Sequence, residues 1–161
     1  MITEFLANPA GTGTDATQEW FEIANLGNTA FDLNGLGLKG SAATVNVISA
    51  AECKRVGPGR FALFAHNTDP AQNGGLPAVD ATFSFALAQS NGSLSVLDGT
   101  KVLDAITWTD GIQDGASKEL QPSQTTSTAN DDPANFCDAV PTQIYGTAAN
   151  FGTPKAVNAC P

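Results

Sequence analysis

The chain has 161 residues, of which 16 are acidic and seven are basic, so its formal net charge is −9. Charged residues make up only 14% of the chain, against about 25% in an average soluble domain, and most of the polarity comes from 17 Thr, 12 Asn and nine Ser. The hydrophobic share of 42% excludes wholesale disorder, and the scarcity of Lys and Arg argues against direct nucleic-acid binding, which depends on clustered cations.

Apolar and polar residues alternate with a period of two along most of the chain, which is typical of β-strands. In the second predicted strand, Phe21 and Ile23 share one face, while Trp20 and Glu22 share the other. A stretch in which Gly alternates with Leu, 35–38, predicts a bent strand. With this bent strand, the predicted strands are 2–7, 18–25 (the second strand), 30–33, 44–48, 60–65, 83–87, 93–97 and 101–108.

Turn signals divide these strands. Asn91-Gly92 and Asp98-Gly99 are the strongest hairpin signals, so 83–108 is predicted to form a three-stranded meander. The polar, Gly/Pro-rich stretch 66–80 predicts a long loop, and 121–160 predicts an irregular segment with one or two short strands. About eight or nine short strands without a convincing helix favour an all-β sandwich. No apolar run approaches the roughly 18 residues of a membrane-spanning helix, so we expect no membrane span.

Three cysteines, Cys53, Cys137 and Cys160, are present, and none belongs to a C-x-x-C pair that would suggest a zinc or redox site. A disulfide between Cys137 and Cys160 would close a loop of about 24 residues and stabilise the irregular C-terminal segment by roughly 3.4 kcal/mol. The alternative is three buried thiols. Cys53 is then either buried and free or part of a different pairing. The cysteines and the polar composition favour an exported, extracellular or cell-surface protein.

Catalytic residues are hard to find in this composition. His66 is the only histidine, no G-x-S-x-G elbow exists, and the place of His66 at the start of a polar loop predicts a surface imidazole. The glutamates able to act as paired acids are Glu4, Glu19, Glu22 and Glu119. The sequence alone cannot place two of them about 5–10 Å apart across a cleft, and Glu22 is expected to point outward or to support a loop. We expect no catalytic residue and no organic cofactor.

Calcium is the cofactor that the sequence best accommodates. The loop 67–75 and the aspartate beyond it offer hard oxygen ligands on a flexible backbone. Asp69, Asn73 and Asp80 are the candidate ligands. The alternative is that Asp and Asn beside Gly and Pro only form turns.

Five segments, in this order and spacing, resemble the lamin-tail domain family. The first two contain the pattern of an aromatic–acidic strand ending in Asn-x-Gly and a following Asp-Leu-Asn-Gly turn. The others contain a Pro-Gly before an apolar strand, the paired strands around Asp-Gly, and a closing Gly-Thr-Pro. They are EWFEIANLG (19–27), DLNGLGL (32–38), PGRFALF (58–64), LAQSNGSLSVLDGTKVLDAI (87–106) and GTPKAVN (152–158).

The resemblance implies an immunoglobulin-like β-sandwich formed by residues 1–161 as a single domain excised from a larger protein. The sequence departs from the family pattern at Leu36, Ser93 and Lys155, which weakens the expectation of a preserved ligand site. The absence of a heptad rod favours the bacterial versions, which occur as modules of exported or surface proteins. The expected function is noncatalytic binding or structural contact with a protein, glycan or envelope partner, with the monomer favoured. The alternative is an accessory domain of a secreted hydrolase or nuclease, with calcium as a stabilising ion.

Overall fold

The computed structural model describes residues 1–11, 14–42, 44–147 and 149–160. Most of the regular structure in these residues is β-strand. The helical elements are α1 (Asp15–Gln18) and two short 3-10 helices, Ala129–Asp131 and Pro133–Asn135. No helix among them is long and apolar enough to cross a membrane. The strands are β1 (Ile2–Leu6), β2 (Trp20–Ala24), β3 (Phe31–Asp32), β4 (Leu36–Lys39), β5 (Asn46–Val47), β6 (Arg55–Val56), β7 (Phe61–Ala65), β8 (Ala81–Thr82), β9 (Gly92–Asp98), β10 (Lys101–Trp108), β11 (Lys118–Leu120) and β12 (Phe136–Asp138).

Two sheets pack face to face, so the predicted all-β sandwich is confirmed. One sheet has six strands in the order β12-β11-β1-β2-β7-β8, and the other has four in the order β10-β9-β4-β5. Strands β3 and β6 form a separate pair. Aromatic side chains fill the space between the sheets: Phe21 stacks on Phe64 at 4.7 Å, and Phe5 contacts Trp108 at 4.5 Å between ring centroids. These contacts join strands that are distant in sequence.

The central strands of the six-stranded sheet, β1, β2 and β7, are buried on both faces. Phe21 and Ile23 of β2 face the core between the sheets, and Trp20 packs on the opposite face with Leu63 and Leu76, as the alternation predicts. Every residue of β1 and β2 is buried as a result. The outer cover is irregular chain, contributed by the loop after β7 and by the C-terminal segment.

The structure differs from the expected strands in several places, and the described part of the chain contains twelve strands where eight or nine are predicted. The predicted three-stranded meander is a two-stranded hairpin, β9–β10, because 83–87 is not a strand. Phe83 and Leu87 are buried in the core, but their backbone N–H groups bond to Ala65 O and to a Glu19 carboxylate oxygen. The apolar alternation of this segment therefore reflects coil that closes one end of the sandwich.

The C-terminal segment is ordered by its disulfide. Cys137 on β12 is bonded to Cys160, with Cα atoms 5.9 Å apart, which confirms the predicted bridge. Cys53 is a free thiol, but it is exposed, so the expectation of a buried or paired Cys53 is wrong. Residues 139–147 and 149–160, which we call the C-terminal strap, run back across the outer face of the six-stranded sheet.

Candidate functional site

Three glutamates form a row beneath the C-terminal strap. Cα pairing places Glu4 of β1 opposite both Glu119 of β11 and Glu22 of β2, so the three side chains lie on one face of three adjacent strands. All three residues are completely inaccessible to solvent. Directly opposed Cβ atoms in antiparallel strands lie about 4.5–5.5 Å apart. The structure thus brings together acids that the sequence alone could not place.

Glu4 occupies the centre of the row and has hydrogen-bond partners at both oxygens. Its Oε1 accepts from Ser117 Oγ at 2.7 Å and from the Thr153 backbone N–H at 2.8 Å. Its Oε2 lies 3.0 Å from Thr153 Oγ1. The chain passes so close that a Cβ on Gly152 would lie 2.7 Å from Glu4 Oε1. No substrate can reach this carboxyl group while the strap is in place.

The two outer glutamates also hold the strap. Glu22 Oε2 accepts from the Lys155 backbone N–H at 2.5 Å, and Glu119 Oε2 accepts from the Ala159 N–H at 2.9 Å. Glu119 Oε1 accepts from the Gln143 side-chain amide at 2.6 Å. An irregular segment cannot pair its N–H groups in a sheet, and buried N–H groups need acceptors. The glutamate row supplies those acceptors.

Burial dominates the electrostatics of this row. Desolvation raises the pKa of Glu4 to about 8, and the neighbouring charge of Glu119 acts in the same direction, against hydrogen bonds from Ser117 and Thr153 that lower it. Desolvation likewise raises the pKa of Glu22 to about 9, with a further increase from the charge of Glu4. The Lys155 charge lowers the pKa of Glu22, but by less than burial raises it, and a buried charge that is not fully compensated is costly. Protons on Glu4 and Glu22 at neutral pH reduce that cost.

The hydrogen-bond geometry around Thr153 supports a proton on Glu4. Thr153 Oγ1 lies 3.0 Å from Glu4 Oε2 and 3.2 Å from Glu119 Oε1. A hydroxyl group has a single proton to donate. If Glu4 Oε2 carries a proton, it donates to Thr153 Oγ1, and the Thr153 hydroxyl then donates to Glu119 Oε1. One proton on Glu4 thus satisfies all three groups.

The sequence-derived calcium candidates have internal partners. Asp80 Oδ2 accepts from the Leu63 N–H at 2.7 Å and forms an ion pair with Lys155 Nζ, also at 2.7 Å. Asp69 accepts from the Ala71 N–H at 3.0 Å within its own turn. Among the described residues, no hydrogen bond joins Asp80 to the turn that contains Asp69. The calcium site remains a prediction.

Asn73, the third calcium candidate, is buried and cross-links its loop. Its Oδ1 accepts from the Leu76 N–H at 3.0 Å, and its Nδ2 donates to Asn67 O at 3.1 Å. Both ends of the side chain therefore stabilise the turn. This arrangement agrees with the alternative that Asp and Asn in this loop form turns.

Glu19, the fourth candidate acid, lies apart from the row. Its Oε2 is 3.0 Å from His66 Nε2 and accepts from the Leu87 N–H at 2.8 Å. The His66 ring also packs on Phe83, with centroids 4.5 Å apart, and its side chain is 12% exposed. The expected surface imidazole is therefore wrong. His66 and Glu19 together anchor the segment that closes the end of the sandwich.

One group of potential metal ligands exists among the described residues, and it comprises Glu119, Cys137 and Cys160. The two sulfurs form the disulfide. Metal binding by cysteine requires a thiolate, so this group is not a metal centre in the oxidised protein.

A separate cleft opens at the end of the sandwich where β2, β4, β9 and β10 meet. It has a volume of about 540 Å³, within the range of roughly 300–1,000 Å³ found for ligand sites. Its walls are mainly apolar, and three aspartates lie among them. We call it the acidic cleft; its apolar residues include Ile23, Leu26, Phe31, Leu36, Val96 and Leu103, and its acidic residues are Asp32, Asp98 and Asp104.

Sequence reasoning named the four glutamates but found neither their partners nor the acidic cleft. The partners Ser117 and Gln143 have no pattern that separates them from other polar residues. The closing Gly-Thr-Pro motif at 152–154 was the one available signal, because Gly152 and Thr153 are the residues that contact Glu4. The cleft depends on strand ends that only the fold brings together.

Comparison of the chain with family models, curated proteins and solved structures found no match. The resemblance to lamin-tail domains thus remains a prediction that depends on the five sequence motifs.

Proposed function

We propose that this chain is a noncatalytic binding and structural module of lamin-tail type from an exported or surface bacterial protein, where it contacts a protein, glycan or envelope partner. One observation carries the proposal: the three glutamates of the row are sealed beneath the C-terminal strap, whereas the acidic cleft is open and mainly apolar. The sealed acids stabilise the fold, and the open surface is available for contacts.

The glutamate row explains why a catalytic interpretation is weaker. Glu4 and Glu22 are direct cross-strand neighbours, so they are the pair of acids that most resembles the two adjacent carboxyl groups of a retaining glycosidase. Such enzymes need a cleft that admits the sugar to both acids. Here Gly152 and Thr153 lie directly over Glu4, and the Lys155 backbone binds Glu22. A sugar therefore has no access to these two acids.

Two features support an exported protein. The Cys137–Cys160 disulfide is of the kind that persists in oxidising compartments. Few Lys residues and many Thr and Asn residues give a polar surface with little positive charge. Both features fit a module that contacts partners outside the cytoplasm.

The noncatalytic part of the proposal is tested with chromogenic glycosides, nucleic-acid substrates and a fluorogenic peptide. The purified chain is compared with Glu4→Gln, Glu22→Gln and a control, Glu52→Gln, whose parent side chain is exposed. We expect no turnover above buffer for any of these proteins. Turnover that persists in Glu52→Gln but is lost in Glu4→Gln would overturn the proposal and favour a hydrolase.

A further inference from the structure

The acidic cleft presents apolar side chains to solvent at the mouth of the sandwich. Leu26 is 49% exposed and Leu103 is 48% exposed, and Phe31 and Leu36 are partly exposed beside them. Behind these residues, Ile23 belongs to the core between the sheets. An exposed apolar surface bordered by polar residues is typical of an interaction site. The cleft therefore offers an apolar partner a path toward the core.

The acidic residues stand next to the apolar walls. In the four-stranded sheet, Asp98 pairs with Leu36, and Asp104 pairs with Val96 across the neighbouring strand. No Lys, Arg or His is among the described residues that line the cleft. None of the ion pairs formed by the described residues involves Asp32, Asp98 or Asp104. The Met1 ammonium also lines the cleft and is attracted by Asp104. One cation thus stands against three aspartates, and the cleft combines an apolar interior with a net negative lining.

The side chains of Asp32 and Asp104 accept hydrogen bonds, whereas the Asp98 side chain forms none with the residues that the structure describes. Asp104 Oδ2 accepts from Asn130 Nδ2 at 2.8 Å and from the Ile2 N–H at 2.5 Å. Hydrogen bonds from the Asn34 and Lys54 N–H groups, followed by the Cys53 thiol, lower the pKa of Asp32 and keep it charged. Asp98 is exposed at the β9–β10 turn, opposite Lys101 in the hairpin. Asp98 is therefore the residue whose charge can be removed without disturbing the fold.

Building on the proposed binding function, we infer that the acidic cleft binds a cationic peptide segment of a partner protein. An apolar side chain of that segment enters between Leu26, Leu36 and Leu103, and flanking Lys or Arg side chains pair with the aspartates. Charge complementarity selects this occupant, since the lining is negative and the chain as a whole carries −9.

The inference is tested with fluorescein-labelled Gly-Lys-Phe-Leu-Lys-Gly, measured by fluorescence anisotropy. Two matched peptides replace both Lys with Glu, or Phe-Leu with Ser-Ser. We expect saturable binding of the first peptide, loss of binding for both matched peptides, and weakening at high salt. Absence of binding at about millimolar peptide, or equal binding of the Glu peptide, would overturn the inference.

Variants locate the binding surface. Leu103→Ser should weaken binding by about tenfold through lost apolar contact, and Asp98→Asn by roughly threefold through lost attraction. The matched controls are Val47→Ser, at an exposed apolar residue outside the cleft, and Asp114→Asn, at an exposed aspartate elsewhere; both should leave binding unchanged. Equal losses in the variants and their controls would overturn the assignment to the cleft.

Two further outcomes separate this inference from the proposed function. Concentration-dependent dimerisation that Leu103→Ser abolishes would show that a second copy fills the cleft, and this would overturn the inference of a cationic partner. Glutamate-dependent hydrolysis in the substrate panel would overturn the proposed function itself. A silent panel together with no peptide binding would refute the peptide inference alone.

Discussion

Raising the pH should destabilise the domain, and Glu4→Gln should remove a large part of that dependence. The folded-state pKa of Glu4 is about 8, against an ordinary value of 4.5. Between these values the unfolded chain releases a proton that the folded chain retains, so the free energy of unfolding falls as pH rises. The contribution is complete below pH 4.5 and is lost as the pH passes through about 8.

The size of the effect follows from the two pKa values. Each factor of ten in proton affinity corresponds to about 1.4 kcal/mol. The rise of the Glu4 pKa from 4.5 in the unfolded chain to about 8 in the folded chain corresponds to between three and four such factors. The upper limit for Glu4 is therefore about 5 kcal/mol, a large share of the roughly 5–15 kcal/mol that stabilises a typical domain. Because the charge of Glu4 also raises the pKa of Glu22, the two groups titrate together and their effects do not add simply.

Glutamine mimics the protonated form of Glu4 at this position. Its carbonyl oxygen can accept from Ser117 and Thr153, and its amide can donate to Thr153 Oγ1. We expect Glu4→Gln to match the parent protein within about 1 kcal/mol near pH 5 and to exceed its stability by several kcal/mol near pH 9. The exposed Glu52→Gln should show no such difference.

The measurement is urea unfolding followed by tryptophan fluorescence at several pH values. A Cys53→Ser background is used throughout, because an exposed thiol attacks disulfides at alkaline pH. The slope of free energy against urea concentration should stay constant, which shows that the same surface unfolds at each pH. A parent protein whose stability is flat or rises from about pH 5 to pH 9 would refute the reasoning.

Three other predictions concern the strap and the loop. The double change Cys137→Ser and Cys160→Ser should lower the free energy of unfolding by about 3.4 kcal/mol. A count of free thiols in the denatured, nonreduced parent protein should find one thiol, and a count of three would contradict the bridge. Gly152→Ala should cost about 1–3 kcal/mol in urea unfolding, because its Cβ would lie 2.7 Å from a buried carboxylate oxygen. Gly111→Ala, with open space around the new Cβ, should be nearly neutral, and equal losses would refute the close packing. Calcium and chelator should leave the melting temperature unchanged, whereas a rise with calcium that Asp69→Asn removes would establish the site.

Local pattern was sufficient to predict faces and turns. The alternation from Trp20 to Ile23 correctly separated core-facing from outer side chains, and the Asp98-Gly99 turn correctly located the hairpin. These features depend on neighbouring residues and on the pleat of a single strand. The sequence could therefore predict a sandwich and its main strands.

Burial that comes from distant chain could not be predicted in this way. The alternation of β2 places Glu22 on the face that would be exposed to solvent in an isolated strand. The side chain is nevertheless buried, because the strap covers it, and the residue that binds it, Lys155, is 133 residues away in sequence. Likewise, 83–87 alternates like a strand, although its backbone bonds to a Glu19 side chain. Strands β11 and β12 have three residues each and lie among turn residues, so no periodic pattern marks them. A two-residue period indicates which side a residue points to and leaves open what covers that side.

The disulfide also has a mechanical consequence. Tension applied at the C-terminal end of the domain would reach Cys160 and pass through the sulfur–sulfur bond to Cys137 on β12. The intervening residues, 138–159, would lie outside the force path. Pulling would load the covalent link and the β11–β12 pairing, while the hydrogen bonds over the glutamate row would bear no load. Reduction of the bond would redirect the same force through those hydrogen bonds and peel the strap from the sheet.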